Sequence, residues 1–264
     1  QYGLFFKPGD PFEFKYWKTP AAIDADAFEL VSNSGESATF QHNAKLENYK
    51  GTVFEIGIER TVQLLDKEAV EKIIGEDLAE GIRIVAYETD NRLCNRGEQA
   101  WSQEGGLLSI WLLGMLNPSP NNIIVIPFKS GSENELGPKE NDNYFGKVPP
   151  EYLNVEENIL FLRGDGTYRS KIGKSAKRTF DFAGSYDAQV KVLTLVTCNM
   201  QNAPNGYVHS MWGFQDEPYN GDLTNSYNDG APAPGEPPLG PFYELETSSP
   251  AAALAPRESM QHVQ

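Results

Sequence analysis

Cysteine, histidine, positive charge and long apolar runs are all in short supply in this 264-residue chain. Two cysteines, Cys94 and Cys198, are too few for a disulfide framework or a cysteine-built zinc site, and read as two unpaired buried thiols. His42, His209 and His262 stand apart with no H-x-x-x-H spacing, which removes a histidine-built zinc site; neither metal nor cofactor is expected. Nucleotide-binding glycine loops and the G-x-S-x-G elbow are also absent, so phosphate cradling and nucleophile-elbow hydrolysis lose their signatures. No apolar stretch approaches the ~20 residues of a membrane span. The longest, GLLSIWLLGML, reads as a buried strand. Basic residues number 22 against 37 acidic, a formal charge of −15 that repels nucleic-acid phosphates and anionic lipid alike.

What the chain does have is an ordinary apolar content of 39% and enough length to bury a sizeable core. Aromatic and β-branched runs recur from end to end, punctuated by Gly, Pro, Asn and Asp: YGLFF, FEFKYW, FELVS, SATFQHNAKL, TVFEIGIERTVQLL, IRIVAYETDN, NIIVIPF, NILFLRG, RTFDFAGSYD, KVLTLVTCNM, GYVHSMWGF and PFYELET all read as strands. Only DKEAVEKIIGEDL, residues 66–78, has helical spacing, with Asp66 as its N-cap. An all-β protein follows, with one short helical insertion. No repeat supports a propeller, and two large antiparallel sheets packed face to face are the simplest solution. A polar segment at 129–143 and a proline-rich one at 228–240 read as loops leaving a single domain over residues 1–264. QYGLFF opens as if in mid-sheet and ESMQHVQ stops within strand-like sequence, so truncation at both ends is expected.

Strand parity identifies candidate site residues. Arg60 shares a face with Phe54, Ile56, Ile58, Val62 and Leu64, where a lone charge needs a carboxylate or an anionic ligand; Glu88 is the candidate protein partner. Phe242, Glu244 and Glu246 share one face of PFYELET, and the two carboxylates lie ~6.5–7 Å apart at their Cα atoms. They could orient sugar hydroxyls or divide into acid and base; a solvated acidic face is the plainer alternative. Residues 210–230 gather Trp212, Asp222, Asn225, Asn228 and neighbouring tyrosines in what reads as a sugar-binding loop, with rings for C–H faces and amides for hydroxyls. In RGDGTYRSKIG, Lys171 could project a cation into a cleft, although such charge runs are commonly solvated hairpins.

FYELETSSPAAALAPRES resembles the late segment of galactose mutarotase-like (aldose 1-epimerase-like) proteins. GLFFKPGDPFEFKYWKTP, GLLSIWLLGMLNPSP, YRSKIG and GDLTNSYNDG further resemble an uncharacterised bacterial family of that supersandwich fold. On that resemblance Glu246-Thr247 takes the place of the catalytic glutamate and its neighbour, and Leu254-Ala255-Pro256-Arg257-Glu258 the loop before the last strand. The implied chemistry is a glutamate removing the anomeric hydroxyl proton while an acid protonates the ring oxygen. The acid is a histidine in the family. EGGLLSIWLLGM, the nearest counterpart of its strand, has none, so the role falls to Lys171. The resemblance implies a sugar or polysaccharide partner, with Glu246 and Lys171 catalytic, Trp111 and Trp212 as ring platforms, and Glu244, Asp222, Asn225, Asn228 and Arg60 binding substrate. A non-catalytic carbohydrate-binding module and a glycosidase or polysaccharide lyase on this fold are the alternatives. Relatives of this kind are often exported by bacteria.

Overall fold

The computed structural model describes residues 3–264. Its strands are β1 (Glu29–Asn33), β2 (Ser37–Glu47), β3 (Val53–Leu65), β4 (Ala86–Asn95), β5 (Trp111–Leu116), β6 (Asn122–Pro127), β7 (Leu153–Val155), β8 (Ile159–Arg163), β9 (Ser170–Lys174), β10 (Phe182–Asp187), β11 (Val192–Thr197), β12 (Thr224–Asn228), β13 (Tyr243–Ser248) and β14 (Ser259–Val263). They form three antiparallel sheets, so the all-β expectation holds. Among the described residues no helix is long and apolar enough to cross a membrane. Residues 107–252 make one compact unit; residues 3–106 and 253–264 make another.

The second unit is built on the sheet β1-β2-β3-β4-β14. The inserted helix α1 spans Lys67–Ile74, with the Asp66 side chain accepting from the Ala69 amide. It stops short of the expected 66–78 because Gly75 takes a left-handed conformation, φ 73°, that closes the last turn. Tyr2 of YGLFF lies outside the described residues, and neither residues 3–6 nor FEFKYW supply a strand. Phe14–Tyr16 is a 3-10 turn, and Phe5 stacks on Trp17 at 5.4 Å. The nearby Pro8, Gly9 and Pro11 break the ladder and turn the aromatics into a loop cluster. Arg60 also departs from expectation. Burial on its face of β3 fades from Phe54 and Ile56 outward, and Arg60 is exposed. Glu88 pairs across from Gln63, while Arg60 pairs with Asn91, so the expected partners point to opposite faces of the sheet.

In the 107–252 unit the sheet β11-β10-β6-β8-β7 packs on the sheet β5-β13-β12-β9. Ile124, Ile126, Leu160 and Leu162 from the first meet Ile172, Tyr243 and Leu245 from the second in one core cluster. Each such side chain contributes about 1.5–3 kcal/mol of burial. The Ser185 and Tyr243 hydroxyls bridge the two sheets at 2.7 Å. GLLSIWLLGML is not the buried strand expected: β5 is an edge strand, with Leu113 40% and Met115 60% exposed. Its apolar content fills one face and the strand end rather than both faces.

Candidate functional site

Because Tyr243 and Leu245 point into the core, Glu244 and Glu246 point out of the other side of the four-stranded sheet. Register sets their neighbours. Glu246 lies opposite Asn225 on β12 and Leu113 on β5, and Glu244 opposite Tyr227 and Met115. Across β12, Asn225 faces Gly173 and Tyr227 faces Lys171 on β9. The result is a polar face carrying Lys171, Asn225, Tyr227, Glu244 and Glu246 side by side. It is not a solvated acidic surface: Glu246 is 1% exposed, and Glu244 and Lys171 are 7%.

One carboxylate oxygen organises the centre. Glu246 Oε2 accepts from Lys171 Nζ at 2.8 Å and from Trp111 Nε1 at 2.8 Å. Glu246 Oε1 is buried with no hydrogen-bond partner. The Lys171 ammonium lies 4.9 Å from the Trp111 ring centre and 5.4 Å from that of Tyr144, two faces that favour a cation. Trp111 therefore presents its indole N–H to the glutamate and its ring to the lysine. Burial and the neighbouring Glu246 charge push the Glu244 carboxyl up to about 8, against the pull of Lys171. Two carboxyl groups on one strand thus sit in different electrostatic surroundings.

Beside them lies a second polar knot. Asp222 Oδ2 accepts from Asn141 Nδ2 at 2.7 Å and from the Tyr144 hydroxyl at 2.6 Å, and Asn225 Nδ2 donates to that hydroxyl at 3.0 Å. Burial raises the Asp222 carboxyl above its ordinary range. Gly173 is required here, since a Cβ would collide with Asp222 Oδ2. The segment expected to leave the fold as a polar loop docks instead: Gly173 N donates to Asn141 O at 2.9 Å, which carries Tyr144 onto the polar face. Tyr144 follows directly after the stretch read as a loop, and no pattern in the sequence ties it to Asp222. His209 lies nearby, its ring 6.2 Å from Tyr144, and burial lowers its pKa.

The remaining expected site residues separate into two groups. Trp212 packs edge-on against Phe145, and the Arg169 guanidinium sits 3.8 Å over Phe145 and 5.4 Å from Trp212. Tyr227 joins that cluster to the polar face, its hydroxyl donating to Asp229 Oδ1 at 2.8 Å. Asn228 does not belong with them. It lies on β12, not in a loop, and accepts from Gly166 N while donating to Tyr168 O and Asp165 Oδ1. Its amide locks the 164–168 turn, and the side chain is fully buried on the Tyr243 side of the sheet, away from the polar face. Asp222 and Asn225 are likewise held at or within a central strand, because amide-rich TNSYN is ordered by its neighbours rather than by strand propensity. Arg60 belongs to the other unit.

The model of a family of unknown function (DUF6786) matches residues 1–264. Among curated proteins none matches the chain. Two solved structures are similar to it. One is a galactose mutarotase-like protein from Lactobacillus casei, 12% identical, with 90% of this chain and 71% of that one covered at a TM-score of 0.49. The other is a galactose mutarotase related enzyme from Lactobacillus acidophilus, 10% identical, with 94% and 73% covered at a TM-score of 0.46.

Proposed function

The chain belongs to the family of unknown function DUF6786, and we propose that it binds a carbohydrate on the polar face of the four-stranded sheet and moves protons at the sugar's anomeric centre. The observation that carries this reading is the Lys171–Glu246 pair, with its spare, unpartnered Glu246 Oε1 beside a Glu244 carboxyl raised to about 8. Glu246 is the base: Oε1 has a free lone pair for the anomeric O–H, while Lys171 and Trp111 hold Oε2. Glu244, protonated near neutral pH, is better suited as the acid than Lys171, whose ammonium fixes and neutralises Glu246. Glu246 takes the anomeric hydroxyl proton, the C1–O1 bond becomes a carbonyl, the C1–ring-oxygen bond breaks, and the ring oxygen takes the Glu244 proton. Reversal on either carbonyl face exchanges the anomers. The two oxygens involved are bonded to the same carbon, so acid and base need not bracket the sugar from opposite sides. Asn225, Tyr144 and Asp222 line the adjoining surface with hydroxyl-binding groups.

A second reading is favoured by the depth of the pair: a lysine and glutamate this buried also serve purely as structure, which leaves a non-catalytic binding module. NMR exchange between sugar anomers, run beside calorimetric titration of the same sugars, separates the two. The catalytic reading expects exchange that Glu246→Gln abolishes while binding weakens modestly. Binding without exchange selects the module, and Glu246→Gln leaving both unchanged removes Glu246 from the site.

A further inference from the structure

The outer face of the five-stranded sheet has the opposite character. On β10 and β11, Phe182, Tyr186, Leu193 and Leu195 share the side away from the core and are 44%, 45%, 62% and 49% exposed. The face continues across β6 and β8 through the half-buried Ile123, Val125 and Phe161. Phe180 extends it, stacked on Phe182 at 6.0 Å, with the Lys129 ammonium 5.8 Å from its ring at the rim. The strands themselves carry the pattern of double-sided burial. IIVIP and ILFL are continuous apolar runs, and VLTLV is broken by Thr194 alone, not the alternation expected of a sheet with one wet face. In IIVIP and ILFL every residue suits a dry neighbour, and the core supplies that neighbour on one side only.

We propose that this face is a self-association surface, on which two copies of the chain pack their five-stranded sheets against each other about a two-fold axis. Two observations select a second copy as the occupant. The aromatic and leucine side chains on β10 and β11 leave on the order of 500 Å² of apolar surface in water; Ile123, Val125 and Phe161 bring the face toward the ~800 Å² a side of a stable interface. The chain carries a net charge of −15, so copies repel over most of their surface. The shared face of β10 and β11, Phe182, Tyr186, Leu193 and Leu195 with Gly184 and Thr197, bears no charged side chain, and across β6 and β8 a cation, Arg163, stands at its end opposite Ile123.

Sedimentation equilibrium of the full 264-residue chain at micromolar concentration tests this. The expected result is about twice the 29.3 kDa chain mass. Leu193→Lys and Phe182→Glu, each on an exposed position, are expected to weaken dimerisation about thirty-fold or more. Leu30→Glu, at an exposed position in the other unit, leaves it intact. Circular dichroism confirms that the variants fold. Concentration-dependent amide exchange of the unmodified chain gives an independent readout, with slowing expected on β10, β11 and β6. A species of single-chain mass at every concentration, or a dimer unaffected by both substitutions, overturns the proposal.

Discussion

On one side of the 107–252 unit, the four-stranded sheet buries Lys171, Asn225, Glu244 and Glu246; on the other, the five-stranded sheet leaves Phe182, Tyr186, Leu193 and Leu195 in water. Each side reverses the usual assignment of polar groups to the surface and apolar groups to the interior. A buried ionic cluster costs desolvation that packing alone does not repay. A wet apolar sheet face forgoes the gain that formed the core behind it. The two reversals teach different lessons: the polar side invites a ligand or a chemical step, and the apolar side invites another surface. The substitutions below probe where the polar side is held together, and how far it differs from an ordinary interior.

The largest effect belongs to Lys171→Ala. Its partner Glu246 is fully buried, and of the two donors to its Oε2 Trp111 alone remains once the ammonium is gone. A loss of about 3–5 kcal/mol in unfolding free energy is expected by urea denaturation. The double change Lys171→Met with Glu246→Leu should recover most of that loss, because neither desolvated charge remains. If the single and double variants are equally unstable, side-chain packing rather than the ion pair holds this face.

Next comes a pH dependence set by Glu244. Its folded pKa is raised to about 8 from an ordinary 4.5, so between those values the folded state binds more protons than the unfolded one. Stability therefore falls as pH rises through that window, by up to ~5 kcal/mol, and the contribution is intact only at its acid end. Glu244→Gln should flatten the profile between pH 5 and 8. An unchanged slope would mean that Glu244 ionises as it does in water and is no reservoir of protons for the proposed chemistry.

Lys174 offers a smaller effect of opposite sign. It is 0% exposed, Nζ has no hydrogen-bond partner among the described residues, and the Phe128 ring lies 4.3 Å away. Burial lowers its pKa from 10.5 to about 8, so the unfolded chain binds more protons between those values and stability climbs with pH across them. Lys174→Met is expected to stabilise the protein at pH 7 by about 1–3 kcal/mol and to abolish the climb. Lys171 and Lys174 sit on one short strand with opposite outcomes because only the first has a carboxylate within reach.

Parity in PFYELET gave away the outward side of β13, since Tyr243 and Leu245 on the alternate positions had to fill a core. The Glu246–Lys171 contact was not legible from parity, because it depends on β9 and β13 flanking the same central strand. Period-2 alternation carries no information about strand order. Asp222 and Asn225 were expected in the site but as loop residues, and Tyr144 was not expected there at all, for another reason. Asn- and Asp-rich segments read as turns by propensity, and only tertiary hydrogen bonds make TNSYN a central strand. Most apolar strands were readable, but GYVHSMWGF forms only an isolated bridge at Tyr207 and GLLSIWLLGML supplies an exposed edge strand; the aromatic N-terminal stretch was misread because rings pack as well in a proline-broken loop as in a sheet.

Arg60 marks the small end of the scale and shows why parity needs burial beside it. It shares a face with Phe54 and Ile56, yet the strand runs outward from the buried end and the arginine reaches water. Nothing is desolvated, so removing the guanidinium strands no partner; Glu88, the carboxylate that might have been stranded, points to the other face. Arg60→Ala should shift unfolding by no more than about 0.5 kcal/mol in a urea titration. A cost near that of Lys171→Ala would require a buried anion at Arg60 and would erase the distinction between a charge held inside a sheet and one that merely follows its strand into solvent.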